Sequence, residues 1–146
     1  KAPTVEKGYL RRRGVTEETI KDCCVHTGDI GVMDEDGYIQ IVDRMKDMIL
    51  VSGFNVYPNE IEDVIAKLDS VVEVSVIGVP NKKTGESVKA YVVSSDPDMT
   101  AEHVIAHCER SLTNYKRPKH VAFIKEIPKT PVGKVLRRKL REMNEV

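Results

Sequence analysis

Three short segments of the sequence hold charged side chains at breaks in the hydrophobic pattern. Asp29 follows Thr27 and Gly28, and an ionised carboxylate can accept hydrogen bonds from two neighbouring hydroxyls, such as those of a ribose diol. Arg44 lies in a charged stretch, and its planar guanidinium can bind phosphate or ribose. Lys134 follows a loop with two prolines and a glycine, where an ammonium group suits charge that develops on a phosphoryl centre.

Each segment also has a purely structural interpretation. Asp29 fits an ordinary surface turn, and residues 43–47 fit a solvated charged linker. Lys134 fits a lysine exposed to water, although a lysine in the first turn of a helix predicted from Gly133 opposes the helix dipole. The residue types alone therefore leave both interpretations open for all three segments.

Other motifs that carry chemistry are absent from the sequence, which has no G-x-x-x-x-G-K-[S/T] phosphate loop, no G-x-G-x-x-G and no G-x-S-x-G. His103 and His107 are four residues apart on a predicted helix and could share a metal ion. Because no third ligand follows at a typical spacing, we interpret them as solvated surface histidines and predict no metal site. Cys23 and Cys24 lack the two-residue gap of a redox or zinc pair, so we interpret them as inert thiols.

The composition limits the class of protein. The 146 residues contain 23 Lys and Arg and 23 Asp and Glu, a balance that argues against a globally basic nucleic-acid binder. Residues 115–146 nevertheless hold ten basic and three acidic side chains, so this part could meet a polyanion. The apolar runs are too short to cross a bilayer, no signal region opens the chain, and three cysteines favour a reducing compartment. We therefore expect a cytoplasmic protein, and Lys1 in place of Met predicts a fragment.

Hydrophobic periodicity and turn residues predict the elements that must position these side chains. Two extended runs between Val25 and Val42 surround Asp34-Glu35-Asp36-Gly37, which is typical of a hairpin turn. Beyond a break at residues 43–46, the pattern predicts the order β-α-β-β-α-β-α. Its strands are predicted at 48–51, 71–79, 88–93 and 120–127, and its helices after Pro58, after the N-cap Thr100 and over 133–142. We therefore predict an α+β fold, a small sheet with helices packed on one side.

Five segments occur in a fixed order over about 110 residues. They are His26–Asp29, Gly37–Tyr38, Asp43–Ile49, Ser52–Glu62 and Pro128–Lys134. Together they resemble the C-terminal end of AMP-forming acyl-CoA synthetases, which belong to the adenylate-forming superfamily with luciferases and peptide-synthetase adenylation domains. Residues 46–62 are especially similar to bacterial long-chain fatty acyl-CoA synthetases. Members of the family often have Gly-Trp shortly before the Thr-Gly-Asp motif, where this chain has Cys23-Cys24-Val25.

The resemblance implies a part of an enzyme. Residues 1–42 would end a large N-terminal domain, residues 43–46 would form a hinge, and residues 47–146 would be a mobile C-terminal lid. The family makes an acyl-adenylate from ATP and a carboxylic acid, and then transfers the acyl group to coenzyme A. The lid rotates between the two steps, and the isolated chain is expected to be inactive.

The resemblance also implies roles for individual residues. Asp29 would bind the ribose hydroxyls of ATP, and Arg44 would lie on ribose or phosphate. Lys46 would be the hinge. Gly53 would line the tunnel for the pantetheine of coenzyme A. Lys134 would be the catalytic residue that bridges the attacking carboxylate and the α-phosphate.

The implied ligands are ATP with Mg, whose site would lie mainly in the N-terminal domain, coenzyme A as co-substrate, and a long-chain fatty acid. The implied partner is the chain's own N-terminal domain, and no nucleic acid is expected. Peripheral contact of the full-length enzyme with the inner face of the membrane, and a homo-oligomer, are both possible under this resemblance. Aryl, short-chain or aminoacyl carboxylates are alternative substrates. A more distant alternative is a small RNA-binding α+β domain in which Tyr38 and Tyr91 stack on bases.

Overall fold

The computed structural model describes residues 6–144 of the chain, which divide into two compact units. The first unit is Lys1–Met45 and the second is Lys46–Val146. A 3₁₀ turn, Met45–Asp47, contains the point where one unit gives way to the other. None of the helices in the described part of the chain combines the length and apolar character needed to cross a bilayer.

The first unit consists of one short helix and two small hairpins. Its elements are α1 (Arg13–Thr19), β1 (Ile20–Lys21), β2 (Cys24–Val25), β3 (Asp29–Met33) and β4 (Ile39–Arg44). The antiparallel pair β3–β4 confirms the predicted hairpin. Its turn forms because the Asp34 carboxylate accepts hydrogen bonds from the backbone N–H groups of Asp36 and Tyr38, at 3.1 and 2.8 Å, while Gly37 adopts a φ of +87°.

The second unit is built on a five-stranded mixed sheet. Its elements are β5 (Ile49–Val51), β6 (Phe54–Val56), α2 (Pro58–Ile65), β7 (Val71–Asn81), β8 (Gly85–Ser94), α3 (Ala101–Glu109), β9 (His120–Phe123) and α4 (Arg137–Asn144). Strand β8 pairs antiparallel with β7 along one edge, and with β9 (parallel) and the end of β5 (antiparallel) along the other. This α+β architecture was predicted, except that β6, which pairs with β5, was not.

The two helices α2 and α3 form as their sequences predict. The side chains of Ile61, Val64 and Ile65 are spaced i, i+3 and i+4 along α2, and all three are buried. The hydroxyl of Thr100 accepts a hydrogen bond from the His103 N–H at the start of α3, and the imidazole of His103 accepts one from the Thr100 N–H. Both helices pack on one face of the sheet.

Helix α4 packs on the opposite face, so the prediction of helices on one side only is wrong. Its buried Leu140 clusters with Ile77 of β7 and Tyr91 of β8, and the Tyr91 hydroxyl donates a hydrogen bond to the Leu140 carbonyl at 3.1 Å. The neighbouring side chains Val76 and Ala90 point into the other core, against α2 and α3. A strand covered on both faces is apolar without alternation, and the unbroken runs at 76–79 and 90–93 were the sequence signal for this arrangement.

Burial of the Cys108 thiol on α3 makes the stability of the chain depend on alkaline pH. Burial raises the pKa of Cys108 from 9.0 to about 11, because the thiolate would lose its hydration. Below pH 9 both the folded and the unfolded chain keep this proton. Between about pH 9 and 11 only the unfolded chain releases it, so the free energy of unfolding falls as the pH rises.

We expect the wild-type chain to lose about 2 kcal/mol of unfolding free energy across this range relative to Cys108→Ala, since one pKa unit corresponds to about 1.4 kcal/mol. The measurement is urea unfolding of both chains at several pH values from 8 to 11. Cys23→Ala, which removes an exposed thiol, is the matched control. Parallel pH profiles for the wild type and Cys108→Ala would contradict the prediction.

Candidate functional site

Asp29 and Arg44 are brought together at the open end of the first unit's larger hairpin. They lie directly opposite each other in the β3–β4 register, and Arg44 Nε is 3.0 Å from Asp29 Oδ1. The Asp29 side chain is about four-fifths buried, whereas more than half of the Arg44 side chain is exposed. Within residues 6–144, the two terminal nitrogens of Arg44 have no hydrogen-bond partner. The pair therefore presents a fixed carboxylate and an open guanidinium fork side by side.

Lys46 is the first residue of the second unit and lies in the 3₁₀ turn with its side chain exposed. The next residue, Asp47, is buried and forms an ion pair with Arg141 of α4, at 2.9 Å. The backbone on the C-terminal side of Lys46 is thus anchored in the second unit, while Lys46 itself points into solvent.

Gly53 occupies a two-residue turn between β5 and β6. Ser52 and Gly53 have φ values of +52° and +84°, a pair of left-handed conformations typical of a tight hairpin turn. Two hydrogen bonds attach the turn to the start of β8. The Ser52 N–H donates to the Thr84 carbonyl at 2.8 Å, and the Leu50 N–H donates to the Glu86 carboxylate at 2.8 Å. A Cβ atom built at Gly53 would meet no described heavy atom within 4 Å. The turn therefore faces open space.

Lys134 lies in a second tight turn and not in a helix, so the prediction that a helix begins at Gly133 is wrong. The Thr130 N–H donates to the Lys134 carbonyl at 2.8 Å, and the Gly133 N–H donates to the Thr130 carbonyl at 2.9 Å. These bonds, together with a φ of +80° at Gly133, delay the start of α4 to Arg137. The Lys134 side chain is exposed and has no hydrogen bond or ion pair to any residue between 6 and 144.

The Gly53 and Lys134 turns are attached to opposite ends of the β7–β8 hairpin. The Gly53 turn joins the sheet at Gly85, which is opposite Asn81 of β7. The base of the Lys134 turn joins it at Glu73 of β7, through the ion pair with Lys129. Asn81 lies eight positions after Glu73 along the extended strand, a distance of about 26 Å. The anchors of the two turns therefore lie at opposite ends of one strand.

A cationic cavity of about 320 Å³ lies beside the Gly53 turn. Its walls include the basic side chains of Lys83, Arg117, Lys119 and His120. The wall also includes Tyr115, which stacks on Phe54 of β6 with ring centroids 4.7 Å apart. Arg117 is already paired with Glu109 at 3.4 Å, so Lys83 and Lys119 are the cations of this wall that could contact phosphate groups.

These cavity residues were not singled out as a site from the sequence. The excess of basic residues after position 115 was a signal for Arg117 and Lys119, but their convergence with Lys83 depends on the tertiary structure. The Lys119 N–H donates to the Val88 carbonyl of β8, and this bond brings the two segments together.

Two predictions about other residues are wrong. Tyr91 is buried against α4, so it cannot stack on a base as the RNA-binding alternative requires. His107 is not a solvated surface residue, since its Nε2 lies 3.0 Å from the Val64 carbonyl of α2 and the ring is half-buried.

In the part of the chain that the structure describes, no three His, Cys, Asp or Glu side chains are grouped as metal ligands would be.

Comparison with known proteins identifies the family. The chain matches the model of the AMP-binding enzyme C-terminal domain over residues 60–134, just over half of its length. It belongs to this family. The matched segment ends at Lys134, the lysine of the exposed turn.

Relatives of this AMP-binding C-terminal domain include ligases with different acids in their names. A long-chain-fatty-acid–CoA ligase from Salmonella typhimurium is 58% identical over 142 residues, which cover 97% of this chain and 25% of the relative. A 2-succinylbenzoate–CoA ligase from Bacillus mycoides is 41% identical over 145 residues, which cover 99% of this chain and 30% of the relative.

Among solved structures, ATP-bound MatB from Rhodopseudomonas palustris matches 99% of this chain with a TM-score of 0.91 and 40% identity, over 29% of its own length. The chain thus spans about a quarter to a third of the length of the proteins that it matches.

Proposed function

We propose that this chain is the C-terminal part of an AMP-forming acid–thiol ligase, which forms an acyl-adenylate from ATP and a long-chain fatty acid and then transfers the acyl group to coenzyme A. Residues 1–42 would end the large N-terminal domain, residues 43–46 would be the hinge, and residues 47–146 would be the lid. The placement of the Gly53 and Lys134 turns at opposite ends of one rigid hairpin carries the proposal. If each turn serves a different reaction at one site, the lid must rotate between the two reactions.

In the first step, a carboxylate oxygen attacks the α-phosphorus of ATP and pyrophosphate leaves. The attack brings two anionic groups together, and the exposed ammonium of Lys134 is suited to neutralise that charge. Asp29 would accept hydrogen bonds from the ribose hydroxyls, with the open guanidinium nitrogens of Arg44 beside it. We expect the Mg that accompanies ATP to be held mainly by the N-terminal domain.

In the second step, the thiol sulfur of coenzyme A attacks the acyl carbonyl and AMP leaves. The lid would first turn about Lys46, so that the Gly53 turn replaces the Lys134 turn at the reaction site. Gly53 has no side chain and faces open space, which suits close passage of the pantetheine arm. The cavity lined by Lys83 and Lys119 lies beside this turn and would hold phosphate groups of the same coenzyme A molecule.

The exposed surface of the first unit indicates that it packs against another part of the protein. Five large apolar side chains of its larger hairpin are exposed, namely Val32, Met33, Tyr38, Ile39 and Ile41. A two-stranded hairpin with such a surface is marginal in water without further packing. We infer that the N-terminal domain of the same protein covers it.

The substrate class can be tested by pyrophosphate release from ATP in the full-length parent protein, with coenzyme A present and a panel of acids. The higher identity to the long-chain-fatty-acid–CoA ligase predicts release with palmitate and oleate, and none from the 146-residue chain alone. Release with 2-succinylbenzoate or short acids only would keep the two-step mechanism and contradict the fatty-acid assignment.

The two turns predict opposite defects in the two half-reactions of the full-length enzyme. Lys134→Ala should slow adenylation by about 10² to 10³-fold, because it removes one charge stabiliser, and should spare thioester formation from supplied acyl-adenylate. Gly53→Leu should slow thioester formation and spare adenylation. The measurements are pyrophosphate release without coenzyme A and acyl-CoA formation from the supplied adenylate.

Two variants control for charge and for backbone strain. Lys125→Ala removes another exposed lysine. Gly37→Leu places the same side chain at nearly the same φ, +87°, so it controls for backbone strain. If Lys134→Ala and Gly53→Leu impair the same half-reaction, the turning lid is the wrong mechanism.

The cavity predicts a defect confined to coenzyme A. In the full-length enzyme, Lys83→Gln combined with Lys119→Gln should raise the KM for coenzyme A about tenfold or more, since each lost charged contact costs about 1.5–3 kcal/mol in a desolvated site and less in an open one. The KM for ATP should stay unchanged. Lys82→Gln, next to the cavity but outside its wall, is the matched control. An unchanged KM for coenzyme A in the double variant would assign the cavity no part in binding.

A further inference from the structure

Helix α4 opens with an arginine that is mostly buried among acceptors. Arg137 Nη2 donates to both carboxylate oxygens of Glu62, at 2.8 and 2.9 Å, and to the amide oxygen of Asn59 at 3.1 Å. Its Nη1 lies 3.8 Å from Asp47. The side chain is only 17% exposed. A guanidinium in this position connects groups that a lysine could not reach at the same time.

The partners of Arg137 come from distant parts of the second unit. Glu62 belongs to α2, and its Oε1 also accepts a hydrogen bond from the Val76 N–H of β7 at 2.7 Å. Asp47 lies in the 3₁₀ turn and pairs with Arg141, one turn further along α4. Two arginines and two carboxylates thus form a cluster without net charge. The cluster ties α4 to α2, to β7 and to the residue after Lys46.

Helix stability does not account for an arginine at this place. A cation at the first residue of a helix is unfavourable because the helix dipole is positive there. Of the basic residues in α4, Arg138 is 88% exposed and forms an ion pair with Glu142 one turn along the same helix. Arg137 therefore differs from its neighbour in serving contacts outside the helix.

We propose that Arg137 is a positioning residue for Lys134, an inference that rests on the proposed role of Lys134 in adenylation. The backbone between them is held at both ends, since Val135 pairs with Lys129 in a β-bridge and the Leu136 N–H donates to the Pro128 carbonyl at 2.8 Å. With Arg137 fixed by Glu62, the backbone that carries Lys134 is held in place relative to the sheet, and the exposed side chain starts from a fixed point. Through Asp47, the same cluster makes the turn at Lys46 and the Lys134 turn parts of one rigid body.

The test uses the full-length parent enzyme with Arg137→Gln and Arg137→Lys, each also combined with Lys134→Ala. Arg137→Gln should slow adenylation about 10- to 100-fold, because misplacement by about 1 Å can cost about 10²-fold, and should leave thioester formation from supplied acyl-adenylate within about twofold. Arg137→Lys should restore part of the adenylation rate, since it keeps the charge but loses the fork.

The combination with Lys134→Ala separates positioning from general stability. A residue that acts through Lys134 adds no further loss once Lys134 is absent, so the double variant should adenylate at the rate of Lys134→Ala alone. Additive losses, or equal losses in both half-reactions, would mean that Arg137 only stabilises the fold. That result would overturn the inference and leave the proposed role of Lys134 intact.

Three further measurements complete the test. Arg138→Gln, the exposed neighbour, should leave both half-reactions unchanged. Glu62→Gln keeps an acceptor for the Val76 N–H and weakens the contact with Arg137, so it should show a smaller version of the same selective loss even if Arg137→Gln fails to fold. If Lys134→Ala alone adenylates at the wild-type rate, then the proposed function of Lys134 is wrong and the inference falls with it.

Discussion

Strand β8 is hydrogen-bonded along both edges and packed on both faces, and this constraint fixes the geometry of the whole second unit. β7 runs beside it over ten residues of β8, and β9 and β5 share the other edge. Because side chains alternate between the two cores, a shift of one residue would move every one of them to the wrong face. The two ends of the β7–β8 hairpin are therefore well-defined attachment points for the rest of the unit.

The Gly53 and Lys134 turns extend from these two attachment points. The Gly53 turn rests on the Thr84 carbonyl at one end, and the Lys134 turn is anchored through Lys129 and Glu73 at the other. Both turns owe their shape to backbone hydrogen bonds and positive φ values within the chain. In the proposed mechanism, a rotation of the lid replaces the Lys134 turn at the reaction site with the Gly53 turn.

The basic side chains of the second unit differ in whether a carboxylate pairs with them. Arg137 and Arg141 are neutralised by carboxylates at the inner side of α4, and Lys129 is neutralised by Glu73. The side chains of Lys119 and Lys134 have no such partner in residues 6–144. Ion pairs that are mostly buried hold elements together, whereas a lysine without a partner keeps its full charge for a ligand. The proposed contacts with phosphate groups rely on lysines of the second kind.

The sequence by itself determined the elements whose causes are local. The hairpin around Asp34 and Gly37 depends on contacts within four residues. Helix α3 depends on its N-cap Thr100, which bonds to His103 three residues later. The motifs also determined the family, because their residues and their order can be read directly from the sequence. The roles of all five site residues stay predictions from that resemblance, namely Asp29, Arg44, Lys46, Gly53 and Lys134.

Only the tertiary structure decided which face of the sheet α4 covers. Arg137 contacts Glu62 and Asp47, which lie 75 and 90 residues earlier, and no local pattern encodes contacts of that range. The cationic cavity likewise exists because a backbone bond brings the segment of Lys119 to β8. Helix propensity and periodicity describe neighbours along the chain, whereas these features depend on which distant groups the folded chain brings within a few ångströms.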